Sequence, residues 1–222
     1  MRLIVFDVDG TLVDSQHHIV AAQAVAFAAV GLAPPSRAAA LSVVGLSLRE
    51  AFRVLAGDDA PIDGLAEAYK DAWHQMRRQP AHEEPLFPGA RESLARLAAV
   101  PGTLLGIATG KSRRGVAALL EAQGWAALFA TIQTADDHPS KPDPSMLVAA
   151  MEETGAAPAM TAMIGDTSFD MAMAVAAGVR PLGVAWGYHP AAALLAAGAT
   201  SVADSFEAVE AQLPRPADRE AA

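Results

Sequence analysis

Short β-like runs at residues 3–6, 103–108, 130–134, 161–164 and 181–185 alternate along the chain with stretches whose apolar residues recur at helical spacing. Runs this short, bounded by turn-forming residues, predict buried strands. Their alternation with helices predicts an α/β fold, a parallel sheet with helices on both faces. The alternation lapses once. Between Ser15 and about Pro85 no strand pattern occurs, only helical periodicity broken at 31–35, at Gly45 and at 57–61. Within it Ile62, Leu65, Ala66, Tyr69, Ala72, Trp73 and Met76 fall on one helix face and predict a buried stripe. The expected organisation is therefore a core of residues 1–15 and 85–213, an inserted all-helical cap domain at 16–84, and a polar, proline-containing flexible tail at 214–222.

Composition narrows the function classes. A chain of 222 residues that is 52% hydrophobic can bury a core sized for one domain with a large insertion. A net charge of −9 and a pI near 5.0 argue against nucleic-acid and anionic membrane surfaces as partners, since phosphate backbones are bound through a surplus of Lys and Arg. Any phosphate site must be local. The absence of cysteine excludes disulfides, thiolate metal sites and cysteine nucleophiles. Arg2 is followed by only four apolar residues before Asp7, too few for a signal-peptide core, and no apolar stretch reaches membrane-spanning length. The expectation is a soluble, unprocessed cytoplasmic protein, monomer or homodimer.

Candidate chemistry gathers just after the predicted strands, where open parallel sheets bind ligands. The first run delivers Asp7 and Asp9 into the turn at Gly10-Thr11. Side chains alternate along an extended backbone, so both acids point one way while Val8 turns inward. Two carboxylates so close repel, which calls for a cation such as Mg²⁺ and leaves one carboxyl able to carry a proton. The second point is Thr109-Gly110-Lys111-Ser112, a hydroxyl and free backbone N–H groups at a helix start, suited to phosphate oxygens. It is not a nucleotide-binding P-loop, which would need glycine where Leu105 stands. The third is Lys141, presented by the stiff Ser140-Lys141-Pro142-Asp143-Pro144 loop. The fourth is Asp166 after a buried strand, with Asp170 four residues on, a pair suited to a hard cation.

In order and spacing these four segments resemble the haloacid dehalogenase superfamily of hydrolases, in its phosphoglycolate phosphatase-like branch, over most of the chain. The resemblance implies a Rossmann-like core with a helical cap, Asp7 as nucleophile and Asp9 as general acid/base. It further implies Thr109, with Gly110 beside it, and Lys141 as phosphate contacts, and Mg²⁺ held by Asp7, Asp166 and the backbone carbonyl of Asp9, with Asp170 in support. The expected reaction is hydrolysis of a small phosphorylated metabolite through an aspartyl phosphate. Members of this superfamily that cleave halides or phosphonates lack an acid at the position of Asp9, so its presence points to phosphoryl transfer. A β-phosphoglucomutase-like mutase shares all four motifs, but its cap carries Arg directly after the Ser of a Gly-x-Ser segment, whereas this chain reads Gly45-Leu46-Ser47-Leu48-Arg49. A third reading is a binding or regulatory module that has kept the fold without turnover.

Arg49 is the candidate for a substrate anion, since a guanidinium pairs a carboxylate bidentately. Lys111, Arg113 and Arg114 add positive charge near Thr109. His17 and His18, neighbours that diverge by about 100° on a helix, do not chelate one metal. Phe27, Phe52 and Trp73 are expected in the core of the helical segment.

Overall fold

The computed structural model describes residues 1–76 and 84–214; the end of the expected helical segment at 77–83 and the expected tail beyond 214 lie outside them. Six strands form one all-parallel sheet: β1 (Arg2–Phe6), β2 (Thr103–Thr109), β3 (Thr131–Thr134), β4 (Thr161–Gly165), β5 (Arg180–Val184) and β6 (Ser201–Ala203), in the order β3-β2-β1-β4-β5-β6. The last strand was not evident from the hydrophobic pattern, because three residues are too few to display a periodicity. Strand order reverses between β1 and β4, so the connections diverge there and open a crevice at the carboxyl ends of the strands. The register brings those ends level: Phe6 lies opposite both Ile107 and Ile164. Residues that follow β1, β2 and β4 therefore meet at one place.

β1 is buried along its whole length, and its alternation divides the core. Ile4 and Phe6 face a cluster with Leu94 and Leu97 of α5 (Ala90–Ala98), Val116, Leu119 and Leu120 of α6 (Arg113–Gln123), and Phe206 of α10 (Phe206–Glu210). Leu3 and Val5 face the other side, against Met146 and Leu147 of α7 (Ser145–Thr154) and Met173 and Ala174 of α8 (Ser168–Ala176). A short α9 (Ala191–Ala196) precedes β6. Burial of each of these aliphatic side chains stabilises the fold by roughly 1.5–3 kcal/mol before entropy is counted.

Among the described residues between β1 and α5 lie four helices, α1 (Gln16–Ala29), α2 (Arg37–Ser42), α3 (Leu48–Ala56) and α4 (Ile62–Met76). They have their own apolar cluster of Ala26, Phe27, Phe52, Leu65 and Ala66. Of the stripe predicted on α4, Leu65, Ala66 and Ala72 are buried and Ile62, Tyr69, Trp73 and Met76 are half-buried. Phe27 and Phe52 lie in the cluster as expected. Trp73 does not: it lines the cavity between these helices and the sheet, with Lys111 over its ring. The chain leaves and re-enters the sheet layer side by side, with Val13 bridged to Leu86, the Asp14 N–H donating to the Pro85 carbonyl at 2.8 Å and the Phe87 N–H to that of Leu12 at 3.0 Å.

Candidate active site

Asp7, one residue beyond β1, is buried together with Asp166, one residue beyond β4, and Asp170 in the first turn of α8, and one carboxylate oxygen from each lies within 4.8 Å of the others. Each acid is held differently. Asp7 Oδ1 accepts from the Val8 N–H at 2.7 Å. Asp166 Oδ1 accepts from the Thr11 hydroxyl at 2.9 Å and its Oδ2 from the Tyr188 N–H at 2.8 Å. Asp170 belongs to a capping box: its Oδ2 accepts from the backbone and hydroxyl of Thr167, and the Thr167 side chain accepts from the Asp170 N–H. Asp166 is enclosed by two glycines. A Cβ on Gly10 would lie 2.2 Å from Asp166 Oδ2, and one on Gly187 2.1 Å from its Cβ; Gly10, at φ +88°, also has a backbone that only glycine adopts without strain.

Lys141, fully buried, points its ammonium between two of these acids, 2.7 Å from Asp170 Oδ1 and 3.1 Å from Asp7 Oδ2. Burial depresses its pKa, but the attraction of Asp170 and Asp7 outweighs that and raises it, so the side chain is charged. Burial pushes the Asp7 carboxyl up to about 7, with Lys141 opposing and Asp170 adding to the rise. Asp166 is driven well above the usual carboxylate range by burial first and by Asp170 and Asp7 next.

Fully ionised, as a bound cation would hold them, three carboxylates and one ammonium carry two negative charges in a buried space. Among the described residues, and apart from the Lys141 contact, Asp7 Oδ2 has no hydrogen-bond donor. Oxygen donors, a double negative charge and an unsatisfied carboxylate oxygen fit a small, hard divalent cation such as Mg²⁺.

The Asp9 side chain lies elsewhere. Its Oδ1 accepts from Lys111 Nζ at 2.9 Å, and the same ammonium reaches Glu84 Oε1 at 3.0 Å and the Trp73 ring centroid at 4.7 Å. The carboxylates that cluster are thus Asp7, Asp166 and Asp170, with Asp9 turned to a lysine. Thr109, buried at the end of β2, accepts from the Lys111 N–H at 3.2 Å and keeps its own proton to donate. Ser112 caps α6. Arg113 pairs with Asp137 and Arg114 bonds to His74, both at the surface. Arg49 borders the cavity but is exposed and ion-paired with Asp63.

Asp7, Asp9, Thr109, Gly110, Lys111 and Arg49 line one cavity of about 600 Å³, roofed by the α1–α4 helices. The α2–α3 loop is pressed onto the sheet layer: a Cβ on Gly110 would lie 2.5 Å from the Leu46 carbonyl oxygen. Ser47 N–H donates to Ser140 Oγ at 2.8 Å, and His189 Nε2 to the Ser42 carbonyl at 3.2 Å. Sequence reasoning missed Thr11 and Tyr188 as partners of Asp166, and the Lys111, Glu84 and Trp73 contacts around Asp9. Only the short Asp9-Gly10-Thr11 spacing hinted at the first of these.

A family model for haloacid dehalogenase-like hydrolases matches residues 4–184. Over 211 residues the chain is 37% identical to a protein of Dickeya dadantii described as the probable phosphatase IndB, covering 93% of this chain and 91% of that one. It is 31% identical over 218 residues to a phosphoglycolate phosphatase of Pseudomonas putida, covering 94% and 78%. Among solved structures, a haloacid dehalogenase-like family hydrolase from Streptococcus pneumoniae superposes with a TM-score of 0.81 at 26% identity, over 95% of this chain and 97% of that chain. A hydrolase from Pseudomonas syringae gives 0.82 at 26%, over 96% and 97%. Among the described residues no helix is long and apolar enough to cross a membrane.

Proposed function

The chain belongs to the haloacid dehalogenase-like hydrolases, and from that membership we propose that it is a Mg²⁺-dependent phosphatase of small phosphomonoesters, with phosphoglycolate the reference substrate because several relatives bear that name. The observation that carries the reading is the meeting of Asp7, Asp166 and Asp170 around Lys141 at the strand-order switch point. In this reading the α1–α4 helices form the cap that excludes bulk water, the substrate is a phosphorylated metabolite, and the location is the cytoplasm.

Asp7 is the nucleophile. A carboxylate oxygen of Asp7 attacks phosphorus as the bond to the leaving oxygen breaks, and Asp9 gives that oxygen a proton. Asp9 then takes a proton from the water that attacks the aspartyl phosphate, which releases inorganic phosphate and restores Asp7. Thr109 donates to a phosphoryl oxygen beside Gly110, and Lys141 offsets charge while holding Asp7 in line. Asp7, Asp166 and the Asp9 backbone carbonyl are the ligands for Mg²⁺, with Asp170 fixing Lys141. Bound there, Mg²⁺ supplies positive charge against the phosphoryl oxygens. Arg49, ion-paired with Asp63 through Nη1, keeps other guanidinium N–H groups to meet a substrate anion, and the Leu48 that follows Ser47, where a mutase carries Arg, weighs against the mutase reading.

The test is a panel of phosphorylated metabolites assayed for phosphate release with Mg²⁺, beside Asp7→Asn. Release that depends on both supports the reading. Release retained in Asp7→Asn removes Asp7 as nucleophile, and no release from any ester favours a binding module instead.

A further inference from the structure

The roof of the cavity differs in character from its floor. Val43, Val44, Leu46 and Phe52 are buried apolar side chains of the α2–α3 region, and beside them on α4 Tyr69 and Trp73 lie stacked, with centroids 5.7 Å apart and planes 28° apart. A volume of about 600 Å³ far exceeds what the two-carbon body of glycolate fills, so a small acid would leave the half-buried Tyr69 and Trp73 facing water.

Charge points the same way. Lys111 is taken by Asp9 and Glu84, Arg49 by Asp63 and Lys70 by Glu67, while Arg114 bonds to His74; of these only Lys111 lies inside, the others being exposed at the mouth. Gln23, buried and lining the same cavity, donates through Nε2 to the Ala40 carbonyl at 3.2 Å, which fixes the amide's orientation and leaves Oε1 accepting nothing. A carboxylate brought against this roof would lose its hydration, the interior ammoniums of Lys111 and Lys141 being already paired with carboxylates, and would face an unpaired carbonyl dipole. An uncharged ring would instead pack on Val44 and on the parts of the Tyr69–Trp73 pair that Lys111, over the Trp73 ring, leaves open.

We propose that the site takes phosphomonoesters whose leaving group is an uncharged alcohol carrying a planar ring, seated against Tyr69 and Trp73, in preference to esters of small hydroxy acids. This rests on the phosphatase reading and narrows it. No group beyond water enters the reaction: the ester is cleaved to the ring alcohol and inorganic phosphate.

The experiment compares kcat/KM for benzyl phosphate and phosphoglycolate with saturating Mg²⁺, in the full chain and in Trp73→Leu and Trp73→Phe. Benzyl phosphate is expected to lead by about tenfold or more, and the ratio of its kcat/KM to that of phosphoglycolate to fall by about tenfold in Trp73→Leu and to be mostly kept in Trp73→Phe, any loss that reaches Asp9 through Lys111 falling on both esters alike. A lead for phosphoglycolate, or equal losses on both esters in Trp73→Leu, overturns the ring-binding inference while leaving the phosphatase reading in place. Release from neither ester, nor from any other of the panel, overturns the phosphatase reading itself.

Discussion

Lys111 Nζ stands 2.9 Å from Asp9 Oδ1, so the acid next to the proposed nucleophile is tied to a lysine rather than to the three-carboxylate cluster. The same ammonium contacts Glu84, where the chain returns to the sheet layer, and Trp73 on α4. Burial depresses its pKa, yet Asp9 and Glu84 outweigh that and raise it, so the charge persists at neutral pH. One side chain of the sheet layer thus couples the orientation of Asp9 to the seating of the helices above it. Lys111→Met leaves two carboxylates facing each other with no cation, and it should cost about 3 kcal/mol in urea unfolding and about a hundredfold in kcat/KM. Adding Glu84→Gln should restore stability more than turnover. Unchanged kinetics in Lys111→Met would show that Asp9 is positioned without it.

Asp7→Asn separates function from stability. The amide removes the nucleophile and one of three crowded negative charges, so turnover should fall by about a thousandfold or more. In EDTA at pH 8 the variant should be at least as stable as the parent, by about 1 kcal/mol, since the acids are gathered for chemistry rather than folding. Thermal unfolding and phosphate release on one preparation measure both. A variant clearly less stable in EDTA would mean that the Lys141 contact outweighs the crowding.

The Asp7 carboxyl sets a pH dependence whose sign can be worked out. Burial lifts it from 3.8 to about 7, against Lys141 and with Asp170. Between about pH 4 and about pH 7 the folded, metal-free protein keeps a proton that the unfolded chain has lost. Its contribution to stability is full below that window, declines through it and is gone above it, and Asp166 adds in the same direction. Melting in EDTA should therefore show Tm falling between about pH 5 and about pH 7.5, and the rise in Tm on adding Mg²⁺ should be larger at about pH 8 than at about pH 6, because the cation takes the ionised form. A Mg²⁺ shift independent of pH would place the ion away from these acids.

Most of the sheet was legible in the sequence because β1 and β4 are short, largely apolar runs bounded by turn residues, and Asp7, Thr109 and Asp166 sit at strand ends. Asp7, Lys141, Asp166 and Asp170 could be brought together on paper once the strands were taken as parallel. What could not be read is the direction of side chains whose partners come from distant segments. Alternation puts Asp9 on the same side as Asp7, but the bridge between Asp9 and Val13 shows the chain already turning there, and the choice of Lys111 depends on Glu84 and Trp73, remote in sequence. Trp73 carries the apolar periodicity of a core position, and periodicity cannot distinguish a core from a cavity wall. Likewise Arg49 was readable as a cation but not its pairing with Asp63, which requires the packing of α3 against α4.

Gly110 tests the closure of the site directly. A Cβ there would lie 2.5 Å from the Leu46 carbonyl oxygen and 2.7 Å from that of Gly45, and backbone oxygens of a loop cannot rotate out of the way as a flexible side chain can. Since Gly110 does not have a positive φ, alanine suits its own backbone and would by itself stabilise the chain by about 0.4–1 kcal/mol through the unfolded state. The conflict is entirely with the α2–α3 loop, which must lift from the sheet layer and give up the Ser47–Ser140 bond. Gly110→Ala should accordingly keep Tm within a few degrees, raise KM by about tenfold, and make the Gly45–Leu46 bond more open to proteolysis and its amides faster to exchange. Since the added methyl also sits beside Thr109, a lower kcat with unchanged KM and unchanged exchange at Gly45 and Leu46 would place the damage at the phosphate contact and leave the loop seated.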